Sequence, residues 1–332
     1  MGAVRDFMDK HYLHFNSREV VAAARAYEAH LKSGGKMMVT LAGAMSTARL
    51  GRILSRLIRA DMVHAICCPG ANLEEDVFNL LAAGDYEIIP DWRALRAEDE
   101  KALYERGFNR VTDTCIPETV MRHLEQRLID RWNKACATGE RKMESEFLFD
   151  ILRDPTLEPH FQIPKTDSWM YAAMDKKIPV YAPGWEDSTT GNMFAAAVLR
   201  KAIPHHQCVK SGTEQMEHLM HWYIEHSGYR GEDQPRADHP SVGFFQIGGG
   251  IAGDFAICAV PTMIQDLQME NVPFWGYFAQ ISDAVTSYGG YSGAVPNEKI
   301  TWGKLDVDTP KFMVQSDATI VAPLIFAYLL GD

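Results

Sequence analysis

No stretch of this chain approaches the ~18 uninterrupted apolar residues that a membrane span requires, and its N-terminus lacks the apolar core of a leader peptide. Met1-Gly2 opens as an acylation signal does, but Asp6 stands where that signal needs Ser or Thr. Positive charge is scarce: 33 Lys and Arg against 44 Asp and Glu leave a formal net charge of -11, which provides no basic footprint for nucleic acid. The acidic excess suits a cationic small substrate, although ordinary solubility accounts for most of those charges. The six cysteines, Cys67, Cys68, Cys115, Cys136, Cys208 and Cys258, contain no C-x-x-C pair and sit mostly among apolar residues. They read as buried free thiols in a reducing compartment, so a cytoplasmic location is expected. His218, His221 and Glu225 share a helix face but match no zinc signature and lack a third ligand, so no metal is expected. His205-His206 carries no assigned chemistry, and there is no internal repeat or low-complexity tract.

What is present is a core: 332 residues that are 46% apolar can fill one large α/β domain or two smaller ones. Asn16 with Glu19 reads as a capping pair opening a helix that Gly34-Gly35 ends. Lys36 to Leu41 is an apolar strand, Ala42-Gly43-Ala44 a turn, and Leu50, Ile53, Leu54, Leu57 and Ile58 the buried stripe of a second helix. Val63 to Cys68 and the helix after Pro69-Gly70-Ala71-Asn72 repeat the pattern. Strand, small-residue turn and helix in succession indicate a parallel sheet with crossover helices. The alternation lapses from about residue 84 to 166, where Val120, Leu124, Leu128 and Trp132 mark a long amphipathic helix; a largely helical excursion is expected there. Strands resume at Ile178 to Tyr181, Val242 to Ile247, Phe274 to Ile281 and Lys311 to Gln315. The expected fold is therefore α/β and Rossmann-like: a doubly wound, mostly parallel sheet with helices on both faces. The turns after its strands would gather at one edge, where ligands bind in such sheets.

The segment 283–304 is unlike the rest. It contains four glycines, a proline, Tyr288, Tyr291, Trp302, Glu298 and two lysines, with no periodicity until its end. A loop of this length in a compact domain is usually functional or disordered, and its aromatics argue against disorder. Lys304 lies two residues beyond Trp302, so on extended backbone both side chains share a face. A desolvated amine beside an indole is a nucleophile toward carbonyls and imines, which makes Lys304 the candidate for covalent chemistry. Trp302, Tyr288 and Tyr291 can form an aromatic wall for ammonium groups with Glu298 as counter-charge, or the tyrosines can simply pin the loop to the core.

Gly248-Gly249-Gly250-Ile251-Ala252-Gly253 satisfies G-x-G-x-x-G between a strand and a helix, where a pyrophosphate could approach backbone amides. Glycine turns of this kind also arise for steric reasons alone. Glu74-Glu75-Asp76 is placed by the pattern at the opening of a helix, where the macrodipole suffices to explain Glu74 and Asp76. Asp317 reads equally as the N-cap of the last helix.

Glu298, Trp302, Gly303 and Lys304 resemble the C-terminal active-site motif of deoxyhypusine synthases, with Gly248-Gly249-Gly250 upstream and Ser316-Asp317-Ala318 downstream at the spacing of that family. The resemblance runs from about Phe15 to the C-terminus. It implies one NAD-binding domain over residues 1–332. NAD would be held by Glu75, Asp187, Gly248, Gly249, Ala284, Asp317 and Ala318. Lys304 would be the amine that carries an aminobutyl unit from spermidine as an imine, and Glu298 and Trp302 would line the amine pocket. The implied assembly is a homotetramer with sites between subunits. Asn192 and Tyr291 stand where the family has acids that grip the polyamine, and Asp254 replaces a histidine, so an altered donor or acceptor is expected. The sequence resembles the bacterial deoxyhypusine synthase-like branch, which implies that a diamine such as putrescine can accept in place of a protein lysine, giving homospermidine. An NAD-dependent amine dehydrogenase and a non-catalytic polyamine- or NAD-binding protein are the alternatives.

Overall fold

In the computed structural model, which describes residues 2–231, 233–235, 237–285 and 289–332, the alternating pattern folds as nine strands. They are β1 (Met37–Leu41), β2 (Ala65–Cys67), β3 (Glu87–Ile88), β4 (Phe108–Val111), β5 (Thr114–Pro117), β6 (Val180–Tyr181), β7 (Gly243–Ile247), β8 (Tyr277–Ile281) and β9 (Lys311–Val314). Six of them form one sheet in the order β6-β2-β1-β7-β8-β9, and every pairing in it is parallel. The chain starts at the centre, winds outward through β2 to β6, returns to β7 beside β1, and winds the other way. The reversal between β1 and β7 is the topological switch point of a doubly wound sheet.

Side-chain alternation divides the core. Met37, Val39 and Leu41 of β1, Phe245 and Ile247 of β7, and Tyr277, Ala279 and Ile281 of β8 pack on one face with the helices Phe15–Lys32, Gly51–Arg59 and Ala318–Leu330. Met38, Phe244 and Phe278 point the other way, onto the helices Gly212–His226 and Gly250–Ile257. A parallel sheet covered on both faces needs strands that are apolar throughout, and the burial of all five residues in β1, β7 and β8 meets that need.

Two local expectations are corrected. Asn16 does not cap the first long helix: that helix starts at Phe15 with no side-chain cap, and Asn16 Nδ2 instead donates to the Gln315 carbonyl at 3.0 Å. The excursion contains the expected helices, among them Val120–Thr138, and adds a three-stranded antiparallel sheet, β3-β5-β4. Its strands of two and four residues are too short to show alternation in the sequence. Among the described residues no helix is long and apolar enough to cross a membrane.

Candidate active site

Two glutamines build the floor of the site. Gln246 on β7 and Gln280 on β8 are register neighbours and both fully buried, which demands partners for their amides. Gln246 Nε2 and Gln280 Nε2 each donate to the Gly248 carbonyl at 3.0 Å. Gln280 Nε2 also reaches the Ser292 carbonyl at 2.9 Å, and Tyr291 Oη donates to Gln246 Oε1 at 3.1 Å. The glycine turn and the segment after β8 are thus bound to the same two side chains. Gly249 is required by this contact: a Cβ there would lie 1.9 Å from Ser292 Oγ. Gly248 has a φ of +75° and abuts Ala42 of the turn after β1, so the two switch-point turns touch.

Beyond Tyr291 the chain forms the short helix Glu298–Thr301, and Lys304 then returns toward the start of β8, where its carbonyl accepts from Trp275 N at 3.2 Å. Between this segment and the helix Gly250–Ile257 lies a cavity of about 350 Å³, lined by Asp254, Cys258, Tyr291, Glu298, Trp302 and the lysines 299 and 304. It lies beside the helix that follows β7, whereas the glycine turn is at the carboxyl edge. Lys304 is only 6% exposed. Its Nζ donates to Asp254 Oδ1 at 3.3 Å and lies 5.5 Å from the centroid of the Tyr291 ring and 5.7 Å from that of Trp302. Trp302 is 61% exposed, at the mouth. Cys258 Sγ is 3.8 Å from the same Asp254 oxygen, and burial raises its thiol pKa.

The sequence pointed to Lys304 and gave no sign of its neighbour Lys299. Lys299 is 3% exposed, and among the described residues its Nζ has no hydrogen-bond partner. It rests 4.9 Å from the Phe278 ring centroid and 5.0 Å from that of Tyr291. Burial first, then repulsion from Lys304, pulls this amine down to about 8. The only sequence signal for it was a lysine on the inner side of a one-turn helix. Gln246 and Gln280 were missed as well, although a glutamine at the same position of two apolar strands, GFFQI and YFAQI, was a legible cue.

The remaining expected residues divide. Asn192 is not among the residues lining the cavity within one chain; its Nδ2 donates to the Ser188 carbonyl at 2.7 Å. Tyr288 lies outside the described residues. Gly248, Gly249, Ala284, Asp317 and Ala318 follow β7, β8 and β9, and Glu75 and Asp187 follow β2 and β6, so all are on the carboxyl side of their strands. Asp317 Oδ1 accepts from Thr319 N at 2.7 Å, the geometry of an N-cap. Glu75 Oε2 accepts from Thr47 N at 3.3 Å, and burial raises this carboxyl to about 7. The placement of Glu74-Glu75-Asp76 at a helix opening is corrected: the helix begins at Gly70. Glu74 instead receives the amides of Thr189 and Thr190, and Asp76 that of Met170, each at the start of another helix. His218 Nδ1 is 2.9 Å from Tyr181 Oη.

A family model described as deoxyhypusine synthase matches residues 7–329. The chain belongs to the deoxyhypusine synthase family. It is 25% identical over 319 residues to probable deoxyhypusine synthase 1 of Archaeoglobus fulgidus, covering 95% of this chain and 90% of that one. It is 26% identical over 321 residues to a deoxyhypusine synthase-like protein of Chlorobaculum parvum, covering 95% and 82%. Its fold matches a structure assigned as a deoxyhypusine synthase from Entamoeba histolytica, with a TM-score of 0.58 at 13% identity over 98% of this chain and 92% of that one. Deoxyhypusine synthases are transferases, and membership supports aminobutyl transfer as the type of reaction.

Proposed function

We propose that this protein is an NAD-dependent aminobutyl transferase in which Lys304 carries the transferred unit as an imine between a polyamine donor, spermidine or a relative of it, and an acceptor amine. The observation that carries this reading is a buried lysine, Lys304, paired with Asp254 in a cavity that also holds Glu298 and two aromatic faces. Asp254 is half-exposed, so it can hold the ammonium at rest and exchange its proton with water when the free amine attacks. Lys304 Nζ then adds to an iminium carbon and expels the donor's other amine; an acceptor amine later reverses the exchange and frees the lysine. Tyr291 and Trp302 flank the reacting carbon with π faces that favour positive charge, and Glu298 offers a carboxylate to a terminal ammonium.

The residues at the carboxyl edge fit NAD. Among the described residues Thr47 Oγ1 is buried and outside hydrogen-bond geometry, and the Thr47 amide sits on Glu75; a buried hydroxyl beside a carboxylate suits a ribose diol. Glu75, Asp187 and Asp317 would receive sugar hydroxyls, while Gly248, Gly249, Ala284 and Ala318 would permit close approach. Bound NAD supplies the hydride acceptor and, later, the donor. A homotetramer with its sites between subunits fits a mouth at which Trp302 is left largely exposed. The acceptor is a protein lysine or a free diamine, putrescine giving homospermidine; the uncharged Tyr291 on the cavity wall supports an altered donor or acceptor.

The test is borohydride reduction of the protein with NAD and a polyamine panel, followed by peptide mass analysis. The expected result is an aminobutyl mass on Lys304, lost completely in Lys304→Ala. An unmodified lysine during turnover would reject the reading.

A further inference from the structure

Four charged side chains line the amine cavity: Asp254, Glu298, Lys299 and Lys304. Asp254 and Lys304 neutralise each other at 3.3 Å. The two that remain are opposite in sign, and among the described residues Lys299 Nζ is unpartnered, while Glu298 is exposed beside it. The rings of Phe278 and Tyr291 attract the Lys299 ammonium but accept none of its three N–H groups. A buried cation without an anion is the costly arrangement, and arrival of a hydrogen-bonded carboxylate relieves it.

Resting on the reading of Lys304 as the imine-forming amine, we propose that the amine bound here carries a carboxylate: an amino acid or carboxylated polyamine whose carboxylate is received by Lys299 and whose free ammonium is received by Glu298. Lys299 already lines the cavity, so rotation about its own side-chain bonds can carry Nζ from the rings to the ligand. A triamine would instead bring three positive charges next to an unneutralised ammonium, with one uncommitted carboxylate to meet them. The lowered proton affinity of Lys299, with its pKa at about 8, agrees with a site whose counter-ion arrives with the ligand.

Matched ligands differing by one carboxylate test this. Calorimetric titration of the full-length protein near neutral pH compares 1,4-diaminobutane with 2,5-diaminopentanoate. The expected result is about tenfold tighter binding of the carboxylated member, the worth of one charge-assisted contact. Lys299→Met should remove the preference and Lys299→Arg should retain it. Equal affinities, tighter binding of the plain diamine, or binding of neither would overturn the proposal, and the wild-type ratio decides this even if a variant does not fold. Borohydride trapping on Lys304 is read separately. A preference without an adduct rejects the imine chemistry alone, and an adduct without a preference rejects the carboxylate site alone.

Discussion

The helix Gly70–Ala82 and the amine cavity both hold charged side chains away from water, and they handle them in opposite ways. On the helix, Glu74 accepts two backbone amides at 2.9 and 2.7 Å, Asp76 accepts the Met170 amide at 3.1 Å together with the Ser168 hydroxyl, and Glu75 accepts the Thr47 amide. These acids dock the starts of two other helices and a turn onto one element, and burial raises the pKa of each. In the cavity, Lys304 has Asp254, while among the described residues Lys299 has aromatic faces and no hydrogen-bond partner. Glu74 and Asp76, whose hydrogen bonds are met within the chain, belong to the scaffold. A buried charge left without them marks where something else binds. The type of residue does not separate the two cases; the presence of partners does.

The largest expected effect on that contrast comes from the scaffold side. Asp76→Ala leaves the Met170 amide and Ser168 hydroxyl without their acceptor, and should cost roughly 1–3 kcal/mol, read as a lower midpoint in denaturant unfolding with an unchanged slope. Gly249→Ala is expected to cost about 1–2 kcal/mol through the collision with Ser292. Because the damage falls on the segment carrying Tyr291, amine affinity should drop more than thermal stability. If affinity survives, the glycine turn and the cavity are independent.

The smallest effect has the opposite sign. Lys299→Met replaces an unpaired buried ammonium with an apolar side chain of similar length and should stabilise the empty protein by about 1 kcal/mol. The pH dependence sharpens this. Because the folded-state pKa of Lys299 is depressed to about 8 from 10.5, the folded protein binds fewer protons than the unfolded chain between those values, and wild-type stability gains with rising pH across that window. Below about 8 both states are protonated and the penalty is constant. Comparing the variant with the wild type at the two ends of the window reads this contribution together with its coupling to Lys304, Glu298 and Asp254, which face the same amine. A variant less stable than the wild type near neutral pH would mean that Lys299 has a partner in solution.

The six-stranded sheet was legible because its strands are mostly apolar and turns rich in small residues follow them. The expected run Lys36 to Leu41 became Met37–Leu41, and Phe274 to Ile281 became Tyr277–Ile281, with the difference confined to strand ends. The sheet β3-β5-β4 was not legible, since Glu87–Ile88 and Phe108–Val111 are short and half-exposed. Within the candidate site, Glu298, Trp302 and Lys304 of the motif line one cavity. Lys299 stayed hidden because burial of a lysine depends on which way a one-turn helix faces, and here it faces Phe278 of β8 and Tyr291, both outside that helix. Asn16 failed as a cap for a similar reason: the Gln315 carbonyl, at the end of β9, competes for its amide.

The carbonyl of Gly248 accepts from both strand glutamines, one of which is also bonded to Tyr291 and the other to Ser292. A displacement of a few tenths of an ångström at the carboxyl edge of the sheet therefore pulls on the wall that faces the lysines. The glycine turn and the amine cavity are thus tied to each other through two side-chain amides.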